Sequence, residues 1–404
     1  MRPCLVLVGT RPNVMKAAPL VAAFEAAGRL RPVLVHTGQH YDPALSELLF
    51  RDLGLREPDH HLGIAGGHPL EQLGRMLPAL LEVIEREQPE VLVVVGDVTS
   101  TLAGAIAALG TERPVVHVEA GLRSFDRRMP EETNRVLVDA VADLLFCTEP
   151  SGITNLVREG RPGERMFLCG NVMIDTLLRL RDRAGERGTC RRHGLEPGGY
   201  VLLTAHRPSN VDDAEALTRL RDGLAETARE RPVLLPVHPR TRARLESFGL
   251  TESFEQTGIR LLDPQPYLDF VSLMIDAALI VTDSGGIQEE TTILGKPCLT
   301  IRENTERPVT IEQGTNRLVG TDPERLAAAC REALADAGRG RAPELWDGEA
   351  AVRIERILFA WLDQGLAAAG RAARDCGARP GPPAPSPEGS RRPDVDRRGE
   401  ASES

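Results

Sequence analysis

The chain has 404 residues, too many for one hydrophobic core, and its aliphatic content is enough for two domains of ordinary size. A formal charge of −10, from 49 basic and 59 acidic residues, gives no reason to expect a nucleic-acid or anionic-membrane partner, so an anionic ligand would need local basic groups. The seven cysteines include no CxxC pair; Cys4, Cys147, Cys169 and Cys298 sit in or beside apolar runs, as buried free thiols do, which indicates a reducing compartment. The start MRPCLVLVGTRP shows no signal-peptide pattern and no apolar run approaches ~18 residues, so the expected location is the cytoplasm. Lys16 and Lys296 are the only lysines, and a position that keeps lysine in so arginine-biased a chain points to a need for a compact ammonium.

Strand-like runs are predicted at Cys4 to Val8, Pro32 to Val35, Val91 to Val95, Val115 to Val118, Leu144 to Cys147 and Met166 to Cys169. Between them lie helical patterns at about Asn13 to Ala27, Pro43 to Leu53, Leu70 to Glu87, Thr99 to Leu109, Glu131 to Ala142 and Ser151 to Arg158. Such alternation implies parallel strands with right-handed crossovers. The pattern restarts near Tyr200, with strands at Tyr200 to Thr204, Val233 to Pro236, Ile259 to Leu262, Leu279 to Thr282 and Pro297 to Ile301. The expected fold is therefore α/β, with two doubly wound, Rossmann-like domains over residues 1–172 and 173–348, joined near Gly170 to Asp175. A last helix, about Glu349 to Ala369, carries Ile354, Ile357, Leu358 and Trp361 at helical spacing and is expected to pack back on the first domain. The Arg/Pro/Gly/Ser-rich stretch 370–404 is expected to be a disordered tail.

The densest chemical signal is HVEAGLRSFDRRMPEETNR, His117 to Arg135. It follows a buried-strand run, so Glu119 falls at a strand's carboxyl end, where open α/β sheets bind ligands. One unit earlier VLVVV runs into Gly96-Asp97, and Glu131 with Glu132 opens the helix after Pro130. A single such carboxylate is equally a cap or a partner for Arg123 or Arg135. Asp97, Glu119 and Glu131 together, beside a basic site, point to acid–base chemistry in which partial burial spreads the pKa values. The basic site is the first loop, GTRPNVMK, which sets Arg11 and Lys16 at a helix amino terminus suited to an anion. The same loop also fits an ordinary βα turn with a solvated arginine.

In the second domain TDSGGIQEE repeats strand, tight glycine turn and helix. Gly285 and Gly286 would let backbone N–H groups approach a phosphate and Ser284 would add a hydroxyl, while Glu290 could receive two ribose hydroxyls. Alternatively Ser284 or Asp283 is a helix cap and the acidic pair a favourable first-turn charge. His206-Arg207 and His238 also follow strands; each fits a hydrogen-bonded structural histidine, and their shared edge suggests that His206 contacts a diphosphate. No metal signature is present, since there is no HExxH and His60-His61 lacks partners at ligand spacing. No GxGxxG follows the first strand, so no dinucleotide cofactor is implied.

GTRPNVMKAAPL, GDVTSTLA, HVEAGLRSFDRRMPEETNR, the HR of AHRPSN, PVHP, DPQPYLDF, TDSGGIQEE, LGKP and TERP occur in an order that resembles the non-hydrolysing UDP-N-acetylglucosamine 2-epimerases, over roughly Cys4 to Trp361. The resemblance implies the two-domain architecture of the B-type (GT-B) nucleotide-sugar glycosyltransferases with UDP in an interdomain cleft. It implies C2 epimerisation of UDP-N-acetylglucosamine to UDP-N-acetylmannosamine through a 2-acetamidoglucal, without cofactor or metal, by a homodimer. Carried over by motif, Asp97, Glu119 and Glu131 would be the acid–base carboxylates, with His206 beside them. Arg11, Lys16, His206 and Ser284, with Gly285 and Gly286, would hold the diphosphate, and Arg135, His238 and Arg307 would contact the phosphate or sugar side. Glu290 would bind ribose, and the backbone from Gln265 to Phe270 would read uracil.

Two departures stand out. Pro208-Ser209-Asn210 follows His206-Arg207 where many members carry a basic residue and a glutamate, and Tyr41-Asp42 follows Gln39-His40, unlike members activated by a second UDP-sugar. Weak or absent substrate activation is therefore expected. The competing readings are an epimerase of another 2-acetamido UDP-sugar such as a diacetamido uronic acid, a GT-B glycosyltransferase, and a non-catalytic nucleotide-sugar sensor.

Overall fold

The computed structural model of the chain describes residues 1–39, 43–336 and 340–382, with side chains described for all of these but 43–46. The departure at His40, Tyr41 and Asp42 lies outside the described residues. The Val/Leu/Ile runs form two separate sheets, because strands apolar on both faces need helices on both sides. The first sheet runs, edge to edge, Arg379–Pro380, Met166–Leu168, Leu144–Cys147, Val115–Ala120, Val91–Val95, Arg2–Val8, Leu30–His36, His60–His61. All its neighbours pair in parallel except the first two, which are antiparallel. The second runs Ile259–Leu262, Val233–Pro236, Val201–Thr204, Leu279–Thr282, Cys298–Thr300, Asn316–Leu318 and is parallel throughout.

Each strand order reverses once, and the reversal opens a crevice at the carboxyl ends. In the first sheet it falls between Arg2–Val8 and Val91–Val95, whose next residues lead into the Arg11 loop and into Gly96-Asp97. In the second it falls between Val201–Thr204 and Leu279–Thr282, which lead to His206 and Ser284. Topology thus puts the two candidate anion loops at the two switch points.

A helix absent from the sequence reading, Val172–Gly185, follows the first sheet directly and packs on Arg11–Ala27, Tyr267–Asp276 and Gly285–Leu294. Asn171 caps it through Met173 N at 2.9 Å, and Thr176 Oγ1 donates to Met15 O at 2.7 Å. One apolar cluster therefore runs from Val6 and Leu20 through Leu177 to Leu202 and Met274.

The carboxyl-terminal segment corrects the sequence reading. The helix Ala350–Gln364 stops at Gly365, whose backbone (φ 80, ψ −170) leaves the helical region, and a second helix follows at Leu366–Asp375. The first of these packs on Arg11–Ala27, with Glu355 paired to Arg29 and the Asp175 carboxylate accepting from Ala350 N and Ala351 N. Residues 370–382 are ordered rather than disordered. Ala369, Ala373 and Ala378 bury a small-residue face, and Arg379–Pro380 adds an antiparallel strand to Met166–Leu168. Residues from 383 onward lie outside the described residues.

Candidate active site

The wall built by the first domain starts at the helix Arg11–Ala27. Its amino terminus has no side-chain cap, because Thr10 Oγ1 bonds Asn13 Oδ1 (3.1 Å) and Asn13 Nδ2 turns to Val95 O (2.9 Å). Its first-turn N–H groups are thus left without a capping side chain, as an anion site requires. Arg11 is half-buried beside them. One turn further, buried Lys16 places Nζ 2.5 Å from Glu119 Oε2.

Glu119, 1% exposed, occupies an uncommon position for a non-glycine residue, φ +74, where the register slips between Val118 and Ala120. This bulge re-aims its side chain at the strand end and concentrates strain at the site. Asp97, with its side chain 18% exposed, pairs with Arg135. Burial opposes its ionisation, but Arg135, Lys16 and Arg307 prevail and hold the carboxyl below the usual aspartate range. Arg135 also binds Glu132 (2.9 Å), and Glu132 accepts from Ser124 N, Ser124 Oγ and Phe125 N at 2.9 to 3.0 Å. Glu132 therefore fixes the loop before the helix Pro130–Val141. Its neighbour Glu131 is half-buried and has no ion-pair partner among the described residues.

Across the cleft, Asp283 organises the second switch point. Its buried carboxylate lies 2.9 Å from His206 Nδ1 and accepts from His206 N (2.9 Å), Arg207 N (2.8 Å) and Asn210 Nδ2 (3.1 Å). Burial works against this charge, yet His206 and the backbone donors hold Asp283 far below the usual range. The arrangement turns Nε2 of the 39%-exposed His206 away from its aspartate. It also explains the Pro208-Ser209-Asn210 departure in part, since Asn210 Nδ2 joins the loop to both Asp283 and Ile301 O.

Neither Ser284 nor Asp283 caps the helix Gly285–Leu294, and Ser284 N instead donates to Thr282 Oγ1 (3.0 Å). A Cβ at Gly285 would lie 2.4 Å from Arg307 Nη1, so a side chain there would displace Arg307. Glu290, 3% exposed, accepts from Tyr267 Oη at 2.8 Å, and burial pushes its carboxyl up to about 7.

Two predicted contacts are placed differently from the simplest expectation. His238 caps the helix Pro239–Ser247 through Arg240 N (3.2 Å), with its ring 5.5 Å from that of His206, so its capping is structural. Phe270 N is already bonded to Pro266 O (2.9 Å) inside the helix Tyr267–Asp276 and its side chain packs on the core, so its N–H is not free for a base. Gln265 is half-buried at the uncapped start of that helix, its side-chain amide donating to Asp263 O. Lys296, the other lysine, donates to Ala277 O (3.2 Å) and serves packing.

Buried ion pairs join the walls. Arg307 Nη2 lies 3.1 Å from Glu119 Oε1, its Nε 2.7 Å from Glu289 and its Nη1 2.6 Å from Glu306. Glu306 also meets Arg302 (2.8 Å), Arg207 (3.4 Å) and Arg135 (3.8 Å), while Met129 Sδ approaches Arg207 and Arg302 at 3.9 Å. Burial resists the charge on Glu306, but Arg307, Arg302 and Arg135 keep it ionised. Buried Glu149, accepting from Ser151 Oγ at 2.5 Å, is pushed up to about 7 by burial. The sequence reading did not single out Glu149, Glu289 or Glu306 as site residues. Glu306 stands beside Arg307 in TERP and Glu289 beside Glu290 in TDSGGIQEE, which was the available signal.

Two Rossmann-like domains whose switch points face one another across a charged cleft define the GT-B-like class of nucleotide-sugar proteins. Within that class, the family model described as UDP-N-acetylglucosamine 2-epimerase matches residues 22–359. The chain belongs to this family, a family of isomerases. It is 38% identical over 360 residues to the UDP-N-acetylglucosamine 2-epimerase of Methanococcus maripaludis, covering 88% of this chain and 97% of that protein. It is 39% identical over 357 residues to the UDP-2,3-diacetamido-2,3-dideoxy-D-glucuronate 2-epimerase of Pseudomonas aeruginosa, covering 88% and 98%. The crystal structure of Methanocaldococcus jannaschii UDP-GlcNAc 2-epimerase in complex with UDP-GlcNAc and UDP is similar with a TM-score of 0.82 and 38% identity, covering 89% of this chain and 99% of that chain.

Proposed function

We propose that this protein interconverts UDP-N-acetylglucosamine and UDP-N-acetylmannosamine, acting as a homodimer in the cytoplasm. The observation that carries the reading is the facing of two unlike walls. Asp97 follows one switch point, with Glu119 on the adjacent strand and Glu131 opening the helix Pro130–Val141, and the uncapped helix Gly285–Leu294 with His206 stands at the other, Arg307 reaching from its domain to Glu119. A carboxylate removes the proton at C2, the C1–O bond breaks, and UDP leaves with the bonding electrons to give 2-acetamidoglucal. UDP then re-adds at C1 while a proton is delivered to the opposite face of C2. Fixed cationic donors stabilise the charge that develops on departing UDP.

Lys16 and Arg307 neutralise Glu119. A diphosphate arriving beside Arg11, Lys16, His206 and the Ser284-Gly285-Gly286 turn competes for those cations and releases Glu119 for proton transfer. Glu290 takes the ribose hydroxyls, and the free amides at the start of Tyr267–Asp276, near Gln265, read the uracil. Arg135 serves the reaction by holding Asp97 ionised rather than by touching the sugar.

A second substrate, a UDP-diacetamido uronic acid, is favoured by one observation: identity to the Pseudomonas diacetamidoglucuronate enzyme, 39%, is no lower than the 38% to the Methanococcus UDP-N-acetylglucosamine 2-epimerase. Incubation with each UDP-sugar, followed by separation of the C2 epimers, decides between them. Conversion of UDP-GlcNAc is expected. Turnover of the uronate alone would move the assignment to that sugar, and turnover of neither would overturn the proposed activity.

A further inference from the structure

Between the loops that carry Asp97 and Glu119 lies a buried charge cluster with no part in the steps above. His117, with 0% exposure, sits on the strand Val115–Ala120. Its Nδ1 is 2.7 Å from Asp139 Oδ1 and its Nε2 is 2.8 Å from Gly96 O, the carbonyl of the peptide leading into Asp97. The other oxygen of equally buried Asp139 accepts from Gly121 N (3.1 Å), two residues past Glu119, and lies 2.7 Å from Arg123 Nη2.

The helix Pro130–Val141 supplies this support at four-residue intervals. Glu131, Arg135 and Asp139 share one helix face; Arg135 reaches Asp97 and Asp139 reaches His117. The remaining ionisable groups around Asp139 are Arg123, Glu159 and Cys147.

A carbonyl oxygen only accepts hydrogen bonds, and so does an ionised carboxylate. Burial disfavours the charge on Asp139, but His117 and Arg123 keep its carboxyl below the usual range. The His117 ring thus ties the strand Val115–Ala120 to the Gly96 carbonyl on one side and to the helix Pro130–Val141 on the other.

We propose that His117 is a positioning residue that fixes the Gly96-Asp97 peptide and, through Asp139, the Gly121 turn that follows Glu119. It acts through the two carboxylates and does not touch substrate. The inference rests on the epimerase reading for its kinetic consequence, but the hydrogen bonds of the ring are open to a test that needs no turnover.

The variant is His117→Gln, with turnover counted per UDP-binding site measured by calorimetry. Displacing catalytic groups by about 1 Å costs roughly 100-fold in rate. We therefore expect kcat per site to fall by roughly that factor while UDP affinity stays within about threefold of the parent. A purely structural histidine would change the number of binding sites and the thermal midpoint but leave turnover per site at the parent value, and that result overturns the proposal. Should this variant fail to fold, the unsubstituted protein answers through its nine histidines labelled with ¹⁵N. One ring should show a nitrogen-bound proton that exchanges slowly with solvent, and Asp139→Asn should shift that resonance. Nine rings whose protons all exchange rapidly would overturn the proposal. A protected ring proton in a protein that epimerises nothing would count against the activity and leave the clamp standing.

Discussion

Glu290 links the nucleotide site to pH in a way that can be worked through. Burial holds its carboxyl at about 7, against the opposing hydrogen bond from Tyr267 and with Glu289 adding to the rise. If it accepts the two ribose hydroxyls, the ligand binds only the ionised form. Binding is then weakened by a factor of 1 + 10^(7−pH), about 11 at pH 6 and about 1.1 at pH 8. The dissociation constant for UDP-GlcNAc should fall about tenfold between those pH values, about 1.4 kcal/mol. The diester phosphates of a UDP-sugar do not titrate in this range, so the slope belongs to the protein. Glu149, also near 7, titrates in every variant that retains it, and Glu290→Gln isolates the Glu290 contribution. Calorimetry should find Glu290→Gln weaker at pH 8 and without the tenfold dependence. An unchanged slope in Glu290→Gln would refute the ribose assignment.

Asp97→Asn, Glu119→Gln and Glu131→Gln should each bind UDP and lose on the order of 100-fold or more in kcat; near-normal steady-state rates in all three would remove the acid–base assignment. Glu149 has its folded carboxyl raised from 4.5 to about 7, so the native state holds the proton more tightly than the unfolded chain. Its contribution to stability is therefore lost as pH rises from about 4.5 to about 7 and is constant above that. Denaturant titrations should find Glu149→Gln more stable than the parent at pH 8, by an amount on the order of 3 kcal/mol, and no different near pH 4. A Cβ at Gly163 would meet Pro382 O at 1.6 Å, so Gly163→Ala should destabilise the full chain by about 1–3 kcal/mol and have little effect in a chain ending at residue 377. Equal effects in both chains would show that the docked edge strand is not what the glycine accommodates.

Much of this was legible because its causes are local. Unbroken Val/Leu runs require two-sided burial, and the residues just past them must emerge at carboxyl edges, which located Asp97, Glu119, His206 and Ser284. Other features depend on what approaches from elsewhere. The φ of +74 at Glu119 follows from a bulge set by the neighbouring strand, and Arg135 joins the cations around Glu306 only when the two domains meet. His238 follows a strand but equally begins a helix, and the N–H of Arg240 engages its ring beside that of His206. The carboxyl-terminal stretch read as disordered because alanines carry little hydrophobic signal. A helix of small residues packs closely, however, and the open edge of Met166–Leu168 offered backbone groups to Arg379–Pro380. Val172–Gly185 escaped notice because it lies across the presumed junction between domains, where a linker was expected.

The central claim is that the cleft carries out proton exchange at C2 by departure and return of UDP. Incubation with UDP-GlcNAc in D₂O, followed by NMR at C2, tests it most directly. The account predicts deuterium at C2 of the manno epimer, entering in step with epimerisation and slowed together with it in Asp97→Asn and Glu119→Gln. Epimer formed with its original C2 hydrogen retained, or free sugar released without return of UDP, would contradict it.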